Sequence, residues 1–315
     1  VHALGKFLNQ LQTDYNRAKY LPSDPLEFVH RYQDPWDQEA VALLAAVLAY
    51  GNVKQIRKSV EDALNRIHEI SDGPRSFVTS LQNPRKSKKA DQVFRGFIHR
   101  FNCGADLVLL FEALNRSWIK FGSLGGHFLT HLDPEALHIE DALAALIQDW
   151  RNWTGSNMTS TFSYLLTSPS DGSCCKRWCM FLRWMGRRDE VDPGLWGPRS
   201  PLAHTFPKGR ALKSSQLVMP LDTHTGRISQ YLSLTSRKSL NWKAALEVTD
   251  SLKKVDPIDP VRYDFALARL GILDLCQRSY REEICKKCQL LPACHFAQNF
   301  LKKSQRHAPT FKNPY

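Results

Sequence analysis

The sequence predicts an all-α protein, and three observations carry that prediction. Apolar residues recur at three- and four-residue spacing through most of the 315 residues. Alternating strand-like runs are scarce. The breaks between periodic stretches fall where proline and glycine cluster. Residues 3–17 show one amphipathic face. Residues 38–50 (QEAVALLAAVLAY) are rich in Ala and Leu, as a buried helix should be. Residues 54–67 place Ile56, Val60, Leu64 and Ile67 on one stripe. Helical periodicity continues over 90–100, 106–121, 139–150, 174–185, 223–232, 242–252 and 260–270. Residues 71–89, with Pro74, Pro84 and the basic run PRKSKK, read as a loop. So do residues 187–215, which hold four prolines and three glycines.

No apolar run is long enough to predict a membrane span. The first residues lack the apolar stretch of a signal peptide. The chain begins at Val1 rather than Met, so a trimmed start is expected. Net charge is +12. From residue 208 onward there are 19 Lys and Arg against 9 Asp and Glu, which places most of that excess in the last third. Concentrated positive charge favours a polyanionic partner. The tail beyond Cys294 is basic and is expected to be partly disordered.

Four of the eight cysteines, Cys276, Cys285, Cys288 and Cys294, are spaced C-x8-C-x2-C-x5-C. Four thiols this close in sequence fit one soft-metal centre, zinc or an iron–sulfur cluster, and spacing alone does not choose between them. The other four (Cys103, Cys174, Cys175, Cys179) form no spaced framework, so a reducing, cytoplasmic setting is expected. Upstream, Pro220-Leu221-Asp222-Thr223-His224 places a carboxylate at the start of a helix. Local sequence alone favours a cap there over a catalyst.

The run PLDTHTGRISQYLSL resembles the segment that carries the catalytic aspartate in the helix-hairpin-helix DNA glycosylase superfamily. In endonuclease III and the adenine glycosylases a C-x6-C-x2-C-x5-C loop follows and holds a 4Fe–4S cluster. This chain has the same order and the same last two spacings. Residues 168–176 stand where the superfamily's hairpin would be, with one of its two glycines, Gly172. The helix that Lys176 opens is similar to that of the archaeal 8-oxoguanine glycosylases. FVHRYQDPWDQE and VDPGLW resemble a bacterial branch of the same superfamily.

The resemblance implies a two-lobed glycosylase fold with an iron–sulfur loop. Residues 36–192 would form a helical barrel lobe. Residues 1–35 would join 216–315 in the cluster lobe, and 193–215 would form a long connecting loop. It implies a monomeric base-excision enzyme with glycosylase and abasic-site lyase activity, acting at the nucleoid. The substrate would be double-stranded DNA carrying an oxidised base, with 8-oxoguanine favoured. The alternatives are a monofunctional glycosylase and a non-catalytic damage sensor. Lys176 would be the Schiff-base nucleophile, in a pocket walled by Trp178, Phe181 and Trp184, and Asp222 would stabilise the sugar cation. The four cysteines would hold a 4Fe–4S cluster in preference to zinc. Gly172, Ser173, Arg281, Lys286 and Lys287 would meet DNA, with Asn52 or Gln55 as the wedge. Trp36, Asp192, Trp196 and His204 would form the base pocket, while Tyr263 and Asp264 would supply packing and a cap.

Overall fold

The computed structural model describes residues 2–306, and it is predominantly helical. In order the helices are α1 (His2–Tyr15), α2 (Pro35–Val47), α3 (Val53–Ile70), α4 (Pro74–Ser80), α5 (Pro84–Val93), α6 (Gly104–Phe121), α7 (Leu124–His131) and α8 (Glu140–Thr154). There follow α9 (Ser160–Leu165), α10 (Lys176–Gly186), α11 (Thr223–Tyr231), α12 (Trp242–Lys253), α13 (Asp264–Ile272), α14 (Glu282–Cys285) and α15 (His295–Arg306). The one sheet among the described residues is a hairpin of β1 (Ile98–His99) and β2 (Asn102–Cys103). No helix of the described residues is long and apolar enough to cross a membrane.

Most of the predicted periodic stretches are helices, with two corrections. The stretch read as a loop over 71–89 holds α4 and most of α5. Proline sits at the first helical position of each, where its missing N–H costs nothing. The helix predicted over 90–100 instead ends at Val93 and gives way to the hairpin. The basic tail continues as α15 up to Arg306, so its expected disorder, where it concerns 307–315, lies outside the described residues.

Helix contacts divide into two sets. In one, α2 packs on α4, α10 and the 3-10 turns of Pro25–Arg31, while α6 joins α7 and α8. In the other, α1 packs on α13 and on the turn Pro260–Tyr263, and α13 packs on α11. One buried apolar cluster runs through both sets. Helix α2, buried from Glu39 onward, is the hub, and its buried carboxylate is fully satisfied. Glu39 accepts Trp118 Nε1 (2.6 Å) and Leu124 N (2.9 Å) on one oxygen, and Trp196 Nε1 (2.8 Å) and Gly125 N (3.0 Å) on the other. These four donors tie α6, the start of α7 and the 187–215 segment to α2. The Pro- and Gly-rich segment is therefore irregular but anchored, with Leu195, Trp196, Leu202 and Leu212 buried.

Candidate functional site

A cleft of about 360 Å³ opens where α10, α11, α13 and the α2–α3 turn meet. Lys176 and Asp222 face each other across it, with Nζ 3.9 Å from Oδ2. Both are partly exposed, Lys176 by 28% and Asp222 by 34%.

Local sequence explains how each is placed. The segment before Lys176 turns through the 3-10 residues Pro169–Asp171, capped by Ser168, and then through Gly172 at φ +71°. Ser173 pairs with Asn241, and the Cys174 thiol donates to Leu221 O (3.4 Å), fastening this segment beside Asp222. Cys175 then adopts φ +47° as the residue preceding α10. A non-glycine residue held in that region costs on the order of 1 kcal/mol or more, and such strain concentrates at functional sites. Lys176 is the first residue of α10, and its Nζ also donates to Ala49 O (3.3 Å).

Asp222 divides its work between its two oxygens. Oδ1 caps α11, accepting from His224 N (2.8 Å) and Thr225 N (2.9 Å). Oδ2 is the atom that faces Lys176. Burial raises the Asp222 pKa, but Lys176 and the two backbone N–H groups outweigh it, so the carboxyl lies below its ordinary range. Close contact shapes the neighbouring wall, since a Cβ at Gly271 would stand 2.5 Å from His224 Cβ. Gly271 thereby lets α13 close onto α11. His224 Nδ1 is buried there without a hydrogen-bond partner.

The apolar wall comes from residues other than those expected. Trp178, Phe181 and Trp184 are buried on the core face of α10. Met180 and Arg183, four and seven residues on from Lys176, share its face and line the cleft with Ala49, Ile56 and Phe265. Asp264, read as a cap, also lines the cleft. It is paired with Arg183 in the buried floor, and its pKa is pushed up to about 6. Burial is the main cause, Asp222 adds to it, and Arg183 and Lys176 oppose it. Arg269, paired with Asp24 and Ser23, completes the floor. Tyr263 packs as expected, and its hydroxyl donates to Asn9 on α1.

The residues read as a base pocket are not in the cleft. Asp192 is buried between Arg183 and Arg187 as their shared counter-ion. Trp196 is a core residue bonded to Glu39. Trp36 donates to Gly122 O and lies under the Arg75 guanidinium, with exposed His204 beside it. Asn52 caps α3 and lines the cleft, whereas exposed Gln55 lies beyond it and bonds Ser59. Gly172 is exposed. Lys286 is exposed and paired with Glu282, and Lys287 and Arg281 are exposed. A second, shallow concavity beside α11 is lined by Arg227, Arg278 and Arg281 together with Cys276, a grouping that sequence reading missed.

All eight cysteines are free thiols. Cys276, Cys285, Cys288 and Cys294 are half-buried in one loop region, and Arg227 Nη2 donates to Cys276 O (2.8 Å). Burial pushes the Cys276 thiol up to about 11, and the other three thiols add to the shift, so the four sit within electrostatic reach of one another. No three of their sulfurs lie within 4.8 Å of one another. Four thiolates on a single zinc, with Zn–S of about 2.3 Å, would stand about 3.8 Å apart.

Residues 24–273 match the family model described as "Protein of unknown function (DUF2400)". No curated protein and no solved structure matches the chain. The family match corrects the helix-hairpin-helix glycosylase resemblance, because it points to a different family over most of the chain. That resemblance rested chiefly on an Asp-Thr helix cap followed by a cysteine spacing, with a one-glycine hairpin, the helix that Lys176 opens and two further short runs beside them. The cap recurs for local reasons, and the cysteine loop lies beyond the matched residues.

Proposed function

The chain belongs to the DUF2400 family, and we propose, from the chemistry of its cleft, that it is a DNA base-excising enzyme: an N-glycosylase with an abasic-site lyase step. The observation that carries this reading is the amine–carboxylate pair, Lys176 and Asp222, held 3.9 Å apart in one cleft. Loss of a base from a nucleotide builds positive charge on the sugar. A carboxylate fixed by two backbone N–H groups stabilises that charge without reorganising. An adjacent amine, once neutral, attacks C1′ and displaces the base. Breaking of the sugar's C1′–O4′ bond then gives a Schiff base, which permits strand cleavage by elimination.

Charge supports the choice of DNA as substrate. The concavity with Arg227, Arg278 and Arg281 adjoins α11, and Arg278 and Arg281 have no ion-pair partner among the described residues. A flipped nucleotide needs a pocket of a few hundred Å³, about what this cleft offers. The proposed substrate is duplex DNA with an oxidised base, 8-oxoguanine first, and the proposed setting is the nucleoid.

The four-thiol loop supports an iron–sulfur cluster. Cys276, Cys285, Cys288 and Cys294 would hold it, each thiolate on its own iron. Its contribution would be to fix the loop that carries Arg278 and Arg281.

A second reading, base release without strand cleavage, needs only Asp222, since a fixed carboxylate stabilises the sugar cation without an attacking amine. A panel of lesion-containing duplexes separates the readings. Base release with strand cleavage is expected, and release without cleavage supports the second reading. Inactivity on every lesion, with Asp222→Asn indistinguishable from wild type, would overturn both.

A further inference from the structure

His127 and His131 lie one turn apart on α7, and Asp149 meets them from α8. Both Nε2 atoms stand 3.0 Å from the same oxygen, Asp149 Oδ2. One ligand atom from each residue lies within 4.8 Å of the other two. Neither the cleft nor the cysteine loop uses these residues. The His127 side chain is wholly buried, whereas His131 and Asp149 are 30% and 35% exposed. The three therefore converge on a point walled on one side by protein and open to water on the other.

The His127 ring is clamped. Phe121 stacks on it at 4.2 Å and Trp153 at 5.1 Å. Its Nδ1 is 3.0 Å from Ser117 Oγ, which also accepts from Trp150 Nε1 (3.0 Å) and lies 3.1 Å from Ala113 O. A hydroxyl has one proton to give. When Ser117 gives it to Ala113 O, it accepts from both Trp150 and the Nδ1–H of His127. Nε2 of His127 then carries a lone pair aimed at a carboxylate oxygen, an arrangement that a cation bound between them satisfies.

The geometry points to a zinc-class divalent metal site, with Nε2 of His127, Nε2 of His131 and a carboxylate oxygen of Asp149 as protein ligands and water completing the shell. Two imidazoles and a carboxylate are a donor set that zinc and its neighbours take. Metal–ligand bonds of about 2.1 Å place tetrahedral ligands roughly 3.4 Å apart, so each histidine need part from the Asp149 oxygen by only a few tenths of an ångström. Ser117 fixes the tautomer from behind, as outer partners of metal-bound histidines do.

The test is metal stoichiometry on the chelator-treated full chain, titrated with Zn²⁺ and with Co²⁺. Thiolate-to-cobalt charge transfer reads the cysteine loop separately. His131→Ala is expected to bind one equivalent fewer than wild type with its thiolate bands unchanged. Asp149→Asn reads the same loss independently. Ser117→Ala should keep the equivalent but bind it about 10- to 100-fold more weakly. Equal stoichiometry in wild type, His131→Ala and Asp149→Asn would overturn the site.

Discussion

Replacing Asp222 with Asn separates the two jobs of one side chain. Oδ1 makes the cap and Oδ2 faces Lys176. An asparagine oriented with its oxygen toward His224 N and Thr225 N keeps both capping bonds, and Asn caps helices as well as Asp does. Its amide then replaces the charged oxygen in the cleft. Two charges 3.9 Å apart at an effective dielectric of 20 interact by about 4 kcal/mol. Both groups are about a third exposed, so solvent screening cuts the net contribution to stability to about 1 kcal/mol or less. Under the proposed chemistry catalysis should feel the loss more strongly, because the sugar cation would form in a cleft that substrate closes to water. Removal of one preorganised electrostatic partner typically costs about 10²- to 10³-fold in rate. The assay is single-turnover base release alongside urea unfolding. A variant that releases base within threefold of the wild-type rate would refute the electrostatic role. One that loses several kcal/mol of stability would refute the division of labour between the two oxygens.

Three further predictions follow from the same geometry. Glu39→Gln turns an amide NH₂ against two of four N–H donors, and at about 1–3 kcal/mol per unsatisfied group it should lower unfolding stability by ~2–6 kcal/mol, read in urea. Asp222 has a lowered pKa, so its ion pair with Lys176 persists through the ordinary carboxylate range and is lost only as pH falls below 3.8. The stability gap between wild type and Lys176→Met should therefore be present at pH 6 and close in strong acid; a gap that widens with acid would contradict the sign. Protein purified without oxygen should carry about four irons per chain, and Cys288→Ala should lose them; a full complement of zinc in their place would count against the cluster.

Much of the helical architecture was legible because burial imposes its period on the sequence. QEAVALLAAVLAY could only be a buried helix, and PLDTH announced a cap that the structure contains. The proline-led helices α4 and α5 were missed because proline breaks a helix in its interior yet opens one at its first position. The cleft was legible in Lys176, Asp222 and Asn52. Asp264 and Arg183 belong to it through helical phase and through pairing across 81 residues, and no local pattern records such pairing. Asp192 and Trp196 show the converse. Their residue types fit a base pocket, but their hydrogen bonds are spent on Arg183, Arg187 and Glu39 inside the core. His127 and His131 share a face at i, i+4, while the third member, Asp149, arrives from another helix. The superfamily resemblance failed for a related reason: it read a few short motifs as one ancestry.

The central claim is that the Lys176 amine and the Asp222 carboxylate act together on the sugar of a damaged nucleotide. Borohydride reduction during reaction with 8-oxoguanine-containing duplex, followed by peptide mapping of any cross-linked species, tests this most directly. A covalent protein–DNA adduct is expected on the peptide containing Lys176 and absent in Lys176→Gln. An adduct on any other residue, or strand cleavage that persists undiminished in Lys176→Gln, would contradict it.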